Sequence, residues 1–159
     1  MKTAKRKVRV LVDARESIRN KSGIGVVGKE LVHRFKTKKY DCFEFIIIQP
    51  KDKRIFNSKL GRLAEFIWWK SVFMFVKAKQ ANADYIFSLD SVGCLFWKKN
   101  IVIFYDFIFF IYPTWTGLWG KLWRFVLPIS IKNTTDIFAI SNETAKDTVE
   151  KPIKHTVEI

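Results

Sequence analysis

Cysteine and histidine are nearly missing from this chain. In 159 residues there are two of each: Cys42, Cys94, His33 and His155. They follow no metal-ligand spacing, so no zinc or other metal site is expected, and no cofactor is called for. Two isolated thiols are no disulfide framework, and the reading is two reduced, buried cysteines in a cytosolic protein. Long apolar runs are also lacking. Phe66 to Val76 is broken by Lys70, and Ile101 to Tyr112 by Asp106. Both fall short of the roughly 20 residues that cross a bilayer. The basic start, Met1 to Lys7, is followed only by Val8 to Val12 before Asp13, too little for a signal peptide. The sequons at Asn133 and Asn142 therefore carry no weight. Neither GxGxxG nor a Walker A loop is present, and there is no repeat, low-complexity tract or linker.

Acids are scarce as well: 15 against 29 Lys and Arg, for a net charge of +14. Thirteen of those cations lie in the first 39 residues. Such a field suits an acidic partner, whether nucleic acid, an anionic membrane surface or a phosphorylated substrate. A lysine-rich proteome would account for part of it. Hydrophobic residues make up 48% and aromatic residues 16% of the chain. One domain with a real core follows from that.

The apolar patterning predicts strands at Val8 to Val12, Phe43 to Ile48, Asp84 to Leu89, Ile101 to Tyr105 and Asp136 to Ile140. Helices are expected at Gly25 to Phe35, Leu63 to Lys79, Trp119 to Ile131 and Asn142 to Lys151, with Pro128 bending or splitting the third. Leu63, Phe66, Ile67, Phe73 and Met74 are candidates for the inward face of the second helix. Lys51 to Arg62 reads as a loop, and His155 to Ile159 as the start of a sixth strand. Strands alternating with helices, most of them apolar on both faces, predict a doubly wound, mostly parallel, Rossmann-like α/β fold. Ligands in such folds bind outside the carboxyl ends of the strands, where strand order reverses.

The first strand hands over to the first helix through Ser22-Gly23-Ile24-Gly25. A helix beginning there presents unpaired amides and a partial positive charge, which favour a phosphate. Glycine lets a ligand approach the backbone without a Cβ in the way. The other reading is a plain turn.

Three segments carry a family resemblance. "VDAR…SGIG…ELV" near the start, "IVIFYDFIFFIYPTW" in the middle and "TTDIFAISNETAKDTVE" late in the chain together resemble the amino-terminal domain of the group 1 glycosyl transferases. These are retaining sugar-nucleotide enzymes with the two-domain GT-B fold, and the likeness spans roughly residues 8 to 150. It implies that Gly23, Ile24 and Gly25 lie against the diphosphate of a nucleotide sugar, and that Arg15 faces a glycan or lipid-linked acceptor. A solvated surface arginine is the other reading of Arg15. Asp106 matches the aspartate of a His-Asp pair near the transferred sugar and is the candidate catalytic residue. Tyr105 stands where the family commonly has the histidine; it can donate one hydrogen bond but does not titrate near neutrality. Asp106 as a strand-end or capping aspartate is the alternative. Ser141 either caps the last helix or borders the donor cleft.

The resemblance also implies a second, donor-binding domain that neutralises the leaving diphosphate. This chain stops where that domain would begin, so the expectation is half a GT-B fold, inactive by itself and needing a carboxyl-terminal partner.

Tryptophans are the last feature. Trp68 and Trp69 are adjacent and diverge by about 100° on a helix. Trp115, Trp119 and Trp123, four apart, form one helical stripe. Exposed Trp and Lys mixtures suit a membrane interface; the alternative is that these rings fill the core or an interface with the second domain. Three functions stay open: an acceptor-side glycosyltransferase domain, peripheral to the cytoplasmic face of a membrane; a non-catalytic binding or regulatory subunit of the same fold; and a nucleic-acid-binding protein. The third has only charge behind it, with no RNA or DNA motif.

Overall fold

Residues 6–19, 22–51, 58–106 and 117–150 are described by a computed structural model of the chain. Five strands carry it: β1 (Val8–Asp13), β2 (Phe43–Ile48), β3 (Tyr85–Ser88), β4 (Asn100–Phe104) and β5 (Thr134–Ala139). They form one sheet in the order β2-β1-β3-β4-β5, and every neighbouring pair is parallel. Parallel neighbours need crossovers. Between β1 and β2 these are α1 (Arg15–Arg19) and α2 (Gly23–Thr37). Between β2 and β3 lie α3 (Lys59–Trp68), a π-helical turn (Trp69–Phe73) and α4 (Met74–Gln80). Helix α5 (Gly117–Lys132) precedes β5, and α6 (Asn142–Glu150) follows it.

The two faces of the sheet follow from the period of two along each strand. Val10, Val12 and Ile103 pack with Val32, Leu31 and Phe35 of α2 on one face. Leu11 and Ile86 pack with Trp69, Met74 and Ala78 on the other, where Phe104 meets Phe66, Val126 and Leu127. Helices cover both faces, so the fold is a doubly wound, Rossmann-like α/β sheet. The crossover from β3 to β4 is an irregular loop tied down by Asn100. Its Oδ1 accepts from Cys94 N at 2.9 Å, and its Nδ2 donates to the carbonyls of Cys94, Trp97 and Asn133.

The expected parallel sheet is present, with every pairing parallel among the described residues, while several other expectations change. Residues 59–62 are helical, not loop: Ser58 caps α3 by accepting from Gly61 N at 3.0 Å. Helix α1 was hidden in a polar stretch with no apolar period. Pro128 neither splits nor ends α5; the buried Val126 and Leu127 beside it anchor the helix to the core. Ile67 faces outward and Cys42 is exposed, whereas Phe66, Met74 and Cys94 are buried as expected. The adjacent tryptophans diverge, Trp69 inward and Trp68 outward. Trp115, the side chain of Trp119 and the expected sixth strand lie outside the described residues.

Candidate functional site

Two of the central strands run straight into an aspartate. β1 reads VRVLVD and ends at Asp13, while β3 is followed by Leu89 and Asp90. The strand order reverses between these strands, since β2 lies beyond β1 on one side and β4 beyond β3 on the other. Strand alternation puts Asp13 on the same face as Leu11, toward the π-helical turn. That turn carries three consecutive buried residues, Trp69, Lys70 and Ser71. The Lys70 carbonyl accepts from Leu95 N at 2.8 Å, tying the turn to the loop after β3.

Lys70 is fully buried, and its Nζ lies 2.6 Å from both Asp13 Oδ2 and Asp90 Oδ1. Asp13 Oδ1 also accepts from Trp69 Nε1 at 2.9 Å and from Arg15 N at 3.2 Å. Burial is the largest influence on Lys70 and opposes its charge, but the two carboxylates outweigh it and raise its pKa. Burial is also the largest influence on Asp90, pushing it up to about 6 against the pull of Lys70, with the negative Asp13 and Glu16 adding to the rise. The two directions are compatible, because one ammonium serves two acids and only Asp13 has further donors.

A second ring of charge surrounds this triad. Arg15 Nη1 pairs with Glu16 Oε1 at 2.5 Å, and its guanidinium lies 5.3 Å from the centre of the Phe66 ring. Arg19 Nη2 lies 2.5 Å from Glu65 Oε1, both side chains buried. This buried ion pair sets opposite charges together, and among the described residues Arg15 Nε and Arg19 Nε meet no acceptor. Among the described residues no three metal-ligating side chains gather to hold a metal ion.

The glycine junction lies on the same edge. β1 and β2 are parallel, so α2 must run back along the sheet and begin at the carboxyl ends. Ser22 precedes it in extended backbone (φ −80°, ψ −174°), and its first turn holds no acid. Gly23 is exposed, and a Cβ there would meet no atom within 4 Å. Ile24 is half-buried and Gly25 buried.

Beyond β4 and β5 the remaining candidates fall in line. The Tyr105 hydroxyl donates to the Leu89 carbonyl at 3.2 Å. Burial, helped by the Asp90 charge, pushes its pKa up to about 12, so it stays a neutral donor. Ser141 Oγ accepts from Thr144 N at 3.1 Å, which is an N-cap of α6. Thr144 Oγ1 in turn donates to the Tyr105 carbonyl at 3.2 Å. Asp106 is exposed next to Tyr105, and the apolar part of its motif, residues 107–115, lies outside the described residues.

The sequence-derived candidates thus share one edge but not one cluster. Arg15 and the glycines belong to β1, whereas Tyr105, Asp106 and Ser141 follow β4 and β5, about 10 Å or more away across β3. Arg15 is buried, which removes its reading as a solvated surface residue. Asp13, Lys70 and Asp90 were not recognised as candidates. Their signal was a lysine interrupting an apolar helix and an acid closing each of two apolar strands. A hollow of about 420 Å³, lined by Lys7, Phe35, Lys38, Tyr40 and Phe45 among others, opens near the amino end of β2, away from this edge. Comparison with known proteins finds no matching family model, curated protein or solved structure.

Proposed function

We propose that the chain is the acceptor-side domain of a retaining glycosyltransferase, moving a sugar from a nucleotide-sugar donor to a glycan or lipid-linked acceptor. One observation carries the reading: α2 begins at the strand-order reversal with open space beside Gly23 and no acid in its first turn. Amides and helix dipole together make that position favourable for a diphosphate. The ordered resemblance of three segments supplies the reaction class.

In this reading the donor diphosphate rests on Gly23, Ile24 and Gly25, and the Lys70 triad holds the ends of β1 and β3 rigid beneath it. Arg15, held against Glu16 and Phe66, borders the acceptor side. Asp106 is the carboxylate nearest the transferred sugar, Tyr105 braces β4 against Leu89, and Ser141 fixes α6 beside them. A separate donor-holding domain would supply the cations that neutralise the leaving diphosphate. The chain would then act at the cytoplasmic face of a membrane.

A Gly23→Val variant tests this cleanly, because the new side chain enters open space and leaves the fold alone. Titration with a panel of nucleotide sugars should show a loss of at least about tenfold in affinity at unchanged melting temperature. Equal binding by both proteins refutes the role given to the junction.

A second reading has its own support. Tyr105 replaces the expected histidine, and its single proton is already committed to Leu89. That favours a non-catalytic binding subunit, and transfer that stays absent when a donor-binding domain is added would select it.

A further inference from the structure

The helical segment from Lys59 to Gln80 is apolar on both sides. Its buried side holds Phe66, Trp69, Met74 and Ala78 together with the charged Glu65 and Lys70, and its solvent side is apolar apart from its ends. Leu60 is 71% exposed, Trp68 48%, Val72 48%, Val76 42% and Ile67 38%. These positions follow one another along one face, for about 24 Å from Leu60 to Val76 at 1.5 Å per residue. Adjacent to them the loop after β3, held to the π-helical turn by Leu95 N to Lys70 O and to α4 by the Phe75–Trp97 ring contact, adds exposed Phe96 and Lys98.

The exposed charges of the segment and of the loop beside it are cationic. Lys59 and Lys79 are exposed at the two ends of the segment and Lys98 on the loop, while Lys99 lies toward Asp84. Lys77 lies 5.8 Å from the centre of the Phe73 ring, and Lys79 at 5.7 and 5.6 Å from the Phe75 and Trp97 rings. The segment's only acid, Glu65, is buried against Arg19. A second copy of the chain docked here would bring lysines to lysines with no exposed acid of the segment between them.

We infer that this face is a docking surface for an anionic lipid bilayer. Trp68 and the aliphatic side chains would enter the headgroup boundary, with lysine stems lying along them and ammonium groups meeting lipid phosphates. No helix among the described residues is long and apolar enough to cross a membrane, so the contact is tangential. This inference rests on the surface alone and stands whether or not the chain handles nucleotide sugars. It also divides the tryptophans, with Trp68 given to the interface and Trp69 to the core.

The test is co-sedimentation of the full chain with vesicles of phosphatidylcholine, with and without phosphatidylglycerol. Two variants are compared, Trp68→Ser/Val72→Ser and Lys79→Glu/Lys98→Glu, each checked for an unchanged melting temperature. Binding should need the anionic lipid, weaken with salt, and fall by about tenfold or more in both variants. The inference is overturned if neutral vesicles bind equally well, if neither lipid binds, or if the serine variant binds as the parent does. Concentration-dependent self-association abolished by the serine variant would overturn it too, assigning the face to a second copy.

Discussion

Lys70 shows how much one side chain can decide. An ammonium at the bottom of a sheet edge is stable only while both carboxylates face it. Replacing it with an apolar residue of similar length leaves two acids buried without a cation. Breaking a buried pair by removing one partner costs about 3–5 kcal/mol, more than the packing of a methionine returns. Lys70→Met should therefore lower unfolding stability by about that much in urea titration. Adding Asp90→Asn to the variant should recover part of it; a Lys70→Met protein as stable as the parent would show that the triad is not what holds the two strand ends.

Among the elements, α1 packs closely on α2. A Cβ at Gly28 would sit 3.2 Å from Ser17 Cβ and 3.4 Å from its Cα. Ser17 has no room to retreat, because its hydroxyl donates to the Ala14 carbonyl at 2.6 Å and accepts from Gln49 Nε2 at 2.9 Å. Gly28→Val gains a few tenths of a kcal/mol in helix propensity, but overpacking costs about 1–3 kcal/mol. The clash wins, and thermal unfolding should report a net loss. Because α1 carries Arg15 and Arg19, displacing it should also weaken whatever ligand the carboxyl edge binds. The π-helical turn is the second device at this scale: it puts Trp69, Lys70 and Ser71 inside together, a run that an α-helix would spread around its circumference.

For the molecule as a whole, the buried triad links stability to pH. Burial pushes Asp90 up to about 6 in the folded protein, from an ordinary value of 3.8. Between those values the folded protein holds a proton that the unfolded chain has released, so this contribution is full below about 4 and is lost as pH rises through about 6. Asp90→Asn removes the linkage. Its stability relative to the parent should improve from pH 4 to pH 7 by on the order of 2 kcal/mol, read from denaturation curves across that range. A constant difference would mean that Asp90 does not change protonation there. Half-buried Asp84 takes a backbone bond from Arg9 and pairs with Arg6, which lower its pKa; its contribution fades in the opposite direction, as pH falls.

The short apolar runs of VRVLVD and FEFIII, broken only by Arg9 and Glu44 before the closing Asp13, and the near-continuous apolar run of NIVIF were enough to place three strands and the parallel, two-faced sheet they imply, because the hydrophobic effect acts on local pattern. The helix start at the glycines and the Ser141 cap were equally legible, since backbone amides are satisfied within a few residues. The meeting of Lys70 with Asp13 and Asp90 was not. Those residues lie 57 and 20 positions apart, and only the order of the strands brings them together. The outward turn of Leu60, Trp68 and Val72 was hidden for the same reason: which side of a helix faces the core is settled by what packs against it. Here both sides carry apolar residues, and only contact with the sheet sends Trp69, Met74 and Ala78 inward.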